Sequence, residues 1–363
     1  MKIIFSFLLI TVFSNVALFS QSQCLCNPRH PFDDCINDGL TRATAYQIWT
    51  LAHLLELRDS INNDFSKLEQ FQFHFGKHFR LMQDIDTVKE VIAWHFRGAH
   101  FHGGGHKITV ALNYNPQTFS DGALFVAVGN GGSIDSLTVD GYINGGFAGI
   151  VGTVREAGGN NFFSASSVTN CTVNVTITGV AGGIAYSNSG IISNSVFNGS
   201  ITGVDRISGI SGISGIVGIN EPEGQIIACI NNGKIVSTGS GVSGSFSNVG
   251  GIVGTMPNSG GTVSHNINNG IVEGQRFVGG IAGTVVGQPI RPANIMNNAN
   301  YGFVKGTTAV GGVIGHIFSA GVNVFNNFNS GVVIGVSETG CIVGRNNGGT
   351  ISNNHYDKQM CGE

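Results

Sequence analysis

Four histidines stand within twelve residues of WHFRGAHFHGGGHKI, the stretch from Trp94 to Ile108: His95, His100, His102 and His106. Imidazole titrates near neutral pH and is a common ligand of zinc and copper. His100 and His102 flank Phe101, so on a strand both face one side while Phe101 faces the other. A zinc site needs more ligands, and groups behind them that orient the rings. The nearest carboxylates, Asp84 and Asp86 of QDIDT, lie on the preceding strand and serve equally well as caps of a turn. The weak metal candidates are therefore His100, His102, His106, Asp84 and Asp86. With partner carboxylates this sparse, the histidines read as solvent-facing or corner-packing side chains. Replacing His100 and His102 together by Asn is then expected to leave stability nearly unchanged, with or without a chelator.

Other chemistry leaves few traces. There is no G-x-S-x-G, no H-E-x-x-H and no phosphate loop. The acids of the coils from Gly141 to Arg345, Glu156, Asp205, Glu221, Glu223, Glu273 and Glu338, are scattered, and no two share a repeat column in adjacent units. No catalytic residue and no cofactor is expected. A zinc site from CLCNPRHPFDDC is conceivable, but its spacing is irregular.

Net charge is −3 and charged residues make up 11% of the 363, which lacks the basic footprint that nucleic-acid binding requires. Residues 1–20, MKIIFSFLLITVFSNVALFS, read as a secretory signal peptide cleaved before Gln21; acylation at Cys24 is the weaker alternative, because the flanking residues do not form a lipobox. No other stretch has the apolar length of a membrane span. Residues 21–45 form a cysteine-containing linker, in which Cys35 is expected to pair with Cys24 or Cys26.

Glycine, at 56 residues, is about twice its ordinary share of ~7%, and it follows a rhythm. AGIVG from Ala148 recurs as GGIAY, SGIVG, GGIVG, GGIAG, GGVIG and GCIVG, starting at Gly182, Ser214, Gly250, Gly279, Gly311 and Gly340. A second phrase keeps the same beat, with glycines at Gly199, Gly233, Gly270, Gly302 and Gly331. Units of this size with several short apolar strands bury their side chains only by stacking on copies of themselves. The expected fold is all-β: a right-handed parallel β-helix over residues 65–358, with Ile and Val inside and glycines at positive-φ corners. Four residues before each second-phrase glycine stand Ser195, Cys229, Asn266, Asn298 and Asn327, and Cys171 extends the column. These small groups should hydrogen-bond along a corner ladder, with Cys171 and Cys229 two rungs apart, unbridged and unreactive.

Residues 46–64 read as a strand and then a helix capped by Thr50, with Leu51, Leu54, Leu55 and Ile61 on one face, covering the first coil. AYQIWTLAHLLELRDSINN, KHFRLMQDID and FRGAHFHGGGHKI, followed by the GGIVG…INNGKI units, resemble bacterial GLUG-repeat surface proteins from Thr44 to Asp357. That resemblance implies a pectin-lyase-like β-helix, secretion or surface attachment, and an origin like that of Bacteroidetes proteins. His100 and His102 depart from the pattern. The resemblance also implies further C-terminal domains, or a partner, over the last coil. Residues 359–363 are expected to be a truncated or unstructured end, leaving the rung from Val343 to Ile351 open to association.

The function expected is a non-catalytic adhesion or structural scaffold that contacts glycans or host and cell-surface proteins. The alternative is a polysaccharide lyase or glycoside hydrolase on the same fold.

Overall fold

The computed structural model describes residues 36–63, 73–93, 95–114, 122–155, 165–203, 212–239, 248–257 and 260–361. The proposed leader, Cys24, Cys26, Cys35, Trp94, Glu156 and Asp205 lie outside the described residues.

The chain is a parallel β-helix. Among the described residues, three long sheets run along the axis with 11, 9 and 15 strands, and a fourth of 5 strands lies beside the C-terminal coils. The first sheet shows how the sequence period becomes structure. Its central residues stack in register as Phe79, Phe101, Ile134, Val168, Ile192, Ile226, Val263, Ile295, Val324 and Ile351. All but Ile351 are fully buried, and alternation puts their neighbours on the outer face. Each such side chain contributes roughly 1.5–3 kcal/mol relative to exposure.

The helix Leu51–Asn63 begins where the Thr50 hydroxyl accepts a hydrogen bond from the His53 N–H at 3.2 Å. Its buried apolar residues are Leu54, Leu57 and Ile61, joined to the core that holds Ile48 and Leu81. Leu55 is half-buried instead, because positions 54, 57 and 61 share one face at 3.6 residues per turn.

Glycines take some of the corners, as expected: Gly98, Gly131, Gly260, Gly321 and Gly348 have positive φ just ahead of first-sheet strands, but other residues hold the corner that follows. Ser136, Asn170, Asn194, Ala228, His265, Asn297, Asn326 and Asn353 have φ between 49° and 60°, one after each first-sheet strand from Ser133–Asp135 onward. Asn tolerates this left-handed conformation best among residues with a Cβ. The repeat glycines answer a different demand. A Cβ on Gly233, Gly270, Gly302 or Gly331 would strike the carbonyl of the glycine one rung below. A Cβ on Gly215, Gly251, Gly280 or Gly312 would strike the side chain of Asn231, Asn268, Asn300 or Asn329. The two repeated phrases keep one beat because each fills the space the other leaves.

The corner ladder forms as its column predicts. Backbone N–H groups of Cys171, Cys229, Asn266, Asn298 and Asn327 donate to the side chains of Ser195, Asn266, Asn298, Asn327 and Asn354 at 2.8–3.1 Å. Cys171 and Cys229 are free and buried, and burial pushes both thiols up to about 12, which leaves them without thiolate reactivity at neutral pH.

The C-terminal residues differ from expectation. Lys358–Cys361 form a 3₁₀ turn, and Cys361 is disulfide-bonded to Cys341 twenty residues earlier. This turn receives the end of a buried carboxamide ladder, since Asn329 Nδ2 lies 3.8 Å from Cys361 Sγ. Beside it a cavity of about 360 Å³ opens between Ile342, Val343, Ile351 and Tyr356.

Candidate functional site

The sequence candidates separate into two places. Asp84 Oδ1 accepts a hydrogen bond from the Lys107 N–H at 2.9 Å and lies 3.5 Å from His106 Nδ1. Asp86 Oδ1 accepts one from Thr109 Oγ1 at 3.1 Å. Both carboxylates thus join one rung to the next. His100 and His102 stand on the outer face of the first sheet, in the strand His100–His102, and meet neither. Among the described residues no three His, Cys, Asp or Glu side chains converge in a metal-binding group.

His100 and His102 have other partners, which sequence reasoning missed. Three strands place His78-Phe79-Arg80, His100-Phe101-His102 and Ser133-Ile134-Asp135 in direct register. Phe79, Phe101 and Ile134 point inward, so the flanking residues form two outer columns. His102 Nδ1 lies 2.6 Å from Asp135 Oδ2, and His102 Nε2 lies 2.9 Å from His78 Nδ1. The His78 ring stacks on His100 with centroids 4.4 Å apart, and His100 Nδ1 lies 2.9 Å from Ser133 Oγ. Arg42, from the segment ahead of the first strand, donates to Asp135 Oδ1 at 2.9 Å, and Arg80 donates to the Arg42 carbonyl at 3.0 Å. The partner carboxylate that the local sequence lacks is therefore Asp135, one full coil downstream of His102. The recurring polar–apolar–polar triplets HFR, HFH and SID were the signal that could have located it.

Donor and acceptor counting places the proton between His102 and Asp135. Burial raises the Asp135 pKa, but the His102 hydrogen bond and charge and the Arg42 charge outweigh it, and the carboxyl sits below its ordinary value. An ionised Asp135 only accepts, so His102 Nδ1 carries hydrogen. His102 Nε2 and His78 Nδ1 share one hydrogen between them, so neither of these two nitrogens is open to solvent. Burial first, then the charges of His100, His102 and Arg42, bring His78 down to about 4, and burial likewise lowers His100.

The long faces of the solenoid carry a second feature. Exposed carboxamides stack rung upon rung: Asn174 donates to Asp140 at 2.6 Å, and Asn198 to Asn174, Asn232 to Asn198 and Asn269 to Asn232, each at 2.9 Å. The column continues beside Asn300 as Tyr301, 52% exposed, whose ring lies 5.9 Å from that of Phe328. The described acids of the later coils are dispersed. Glu223 lies 3.8 Å from Arg291, Glu338 lies 3.5 Å from Arg345, and Glu273 is in register with Lys305. Burial raises the pKa of Glu221.

No family model and no curated protein matches the chain. Among solved structures, the chain is similar to a "putative immunoglobulin A1 protease" from Bacteroides ovatus, with a TM-score of 0.50 and 16% identity over 86% of this chain and 85% of that one. At that identity the likeness is one of fold.

Proposed function

We propose that this protein is a secreted or cell-surface binding scaffold whose long lateral face takes an extended, uncharged polymer, with neutral glycans the favoured class. The carrying observation is the exposed ladder from Asp140 to Asn269. Each internal Asn spends one N–H and one oxygen lone pair on its neighbours, leaving one N–H and one lone pair per rung for a ligand. Rungs repeat at about 4.8 Å, so hydroxyl groups of a linear polymer meet donors and acceptors in series, each weak alone and additive along the chain. Tyr301 at the end of the column and Phe328, whose ring lies beside it, offer an apolar surface against which a sugar ring can pack. Two further features support the extracellular setting: the leader-like N-terminus and the Cys341–Cys361 disulfide, since such bonds form in oxidising compartments. The GLUG-like phrases support the same setting.

A glycan array probed with the purified chain tests this reading. Binding to neutral linear glycans, reduced by Asn198→Ala with Asn232→Ala, is the expected outcome. Glycan-active enzymology is the second reading, favoured by the His78–His102–Asp135 line of hydrogen-bonded side chains on the outer face. Assaying array hits for new reducing ends or unsaturated uronates separates it from simple binding.

A further inference from the structure

We propose that the Cys341–Cys361 bridge is a redox latch: a small thiol or dithiol reductant opens it, and opening releases the coil it closes. The bridge joins residues 20 apart and encloses one complete turn of the solenoid. Within that ring lie the strands Val343–Asn346, Thr350–Ser352 and His355–Tyr356, one on each of the three long sheets. All three stack on the coil before them, through Ile314–Ile317, Val322–Phe325 and Phe328–Asn329. Their other side carries no described strand, and Ile351 and Tyr356, which continue inward-facing columns, are 42% and 46% exposed. The coil before this one is held from both sides. This one is held from one side and by the bridge.

The repeat itself makes room for the latch at this coil. Cys341 stands where Gly215, Gly251, Gly280 and Gly312 stand in earlier coils. A Cβ at those glycines would strike the inward carboxamide of Asn231, Asn268, Asn300 or Asn329. Tyr356 is the register partner of Asn329, so the carboxamide column stops there and a side chain fits at position 341. Cys361 supplies what the column lacks, since its sulfur accepts from Asn329 Nδ2 at 3.8 Å. Bonds inside the turn Lys358–Cys361 are short-range. The Gln359 N–H donates to the Asp357 carboxylate at 3.0 Å, and the Met360 N–H to the Asp357 carbonyl at 3.2 Å. Neither bond ties the turn back to Cys341; the bridge does.

Two features fit reversible opening. The cavity of about 360 Å³ has Cys341 in its wall, beside Ile342, Val343, Ile351 and Tyr356, which gives a small thiol a way in to that cysteine. The opposite sulfur, on Cys361, faces the Asn329 N–H donor, which stabilises it as a departing thiolate. A thiolate therefore attacks Cys341, the S–S bond breaks, and Cys361 leaves with the bonding pair. A second thiol then attacks the mixed disulfide and frees Cys341, and the two small thiols end as their own disulfide. Two electrons pass to the bridge, and the two protons given up by the small thiols end on Cys361 and Cys341. Once open, the coil loses its covalent closure, and three strand edges of the coil before it become available for pairing.

The test reduces the intact chain with dithiothreitol under native conditions and follows amide hydrogen exchange by mass spectrometry. Exchange across residues 343–356 should quicken about tenfold, and reoxidation should restore the protection. The strands Ser167–Thr169 and Val217–Asn220 should exchange as before. Cys361→Ser, checked for folding by circular dichroism, should exchange like the reduced chain with or without dithiothreitol. Iodoacetamide should label Cys341 and Cys361 only after reduction, and leave the buried Cys171 and Cys229 unlabelled. With limiting glutathione, the mixed disulfide should map to Cys341. A bridge that resists dithiothreitol until the whole chain unfolds, unchanged exchange after complete reduction, faster exchange throughout, or a glutathione adduct on Cys361 overturns the proposal.

Discussion

His102 Nδ1 stands 2.6 Å from Asp135 Oδ2, and the opposite ring nitrogen 2.9 Å from His78 Nδ1, so this imidazole has no nitrogen left for solvent. It is also almost wholly buried. Removing one member of such a buried pair strands the other. His102→Ala is expected to cost about 3 kcal/mol in urea unfolding, which reverses the neutral outcome the sequence alone suggested for this position.

Stability should fall in mild acid. His78 sits at about 4 in the folded chain against an ordinary 6.5, so between those values the unfolded chain holds more protons. His100 shifts in the same direction. The His78 contribution is complete above pH 6.5 and is lost as pH falls toward 4. Thermal melts at pH 7.5, 6 and 4.5 check this: the midpoint should drop across the series, and less so in His78→Asn.

The left-handed corner allows a stabilising change. Ala228 occupies the position that Asn takes one turn earlier at Asn194, with φ of 54°. Ala228→Asn should raise stability by about 0.5–1 kcal/mol, and Asn326→Ala should lower it by a similar amount. Paired denaturation curves would show the two effects with opposite sign.

The ladders were legible because they repeat. Ser195, Cys229 and the asparagines after them stand at a fixed distance from the second-phrase glycine, Cys171 extends their column by one coil, and the hydrogen bonds follow it. The His78–His102–Asp135 line was not legible by the same means. It occurs once, in the first coils, where successive coils differ in length and the steady beat that begins near Ala148 has not started. The Cys341–Cys361 bridge was missed for a related reason: Cys341 replaces a glycine in GGVIG-type phrases, and its partner lies beyond the last repeat. Glycine was legible in part, because composition shows how many there are but not which meet a positive φ and which a close approach.

Buried and exposed ladders should respond differently to truncation. Asn268 receives a hydrogen bond from Asn231 and donates to Asn300, both at 2.7 Å and both buried. Asn268→Ala leaves those partners unpaired in the interior and should cost about 1–3 kcal/mol. Asn269→Ala, one residue on and exposed, should cost at most about 0.5 kcal/mol.

The carboxamide face as a binding surface is open to direct test by affinity electrophoresis, through gels cast with neutral or with acidic linear polysaccharides. The native chain is run beside the Asn198→Ala/Asn232→Ala/Tyr301→Ala variant. A face that binds uncharged polymers retards the native chain in at least one neutral gel and little in acidic gels, and the folded variant recovers free mobility. Equal mobility of the two proteins in every gel, or retardation confined to acidic polymers, would contradict it.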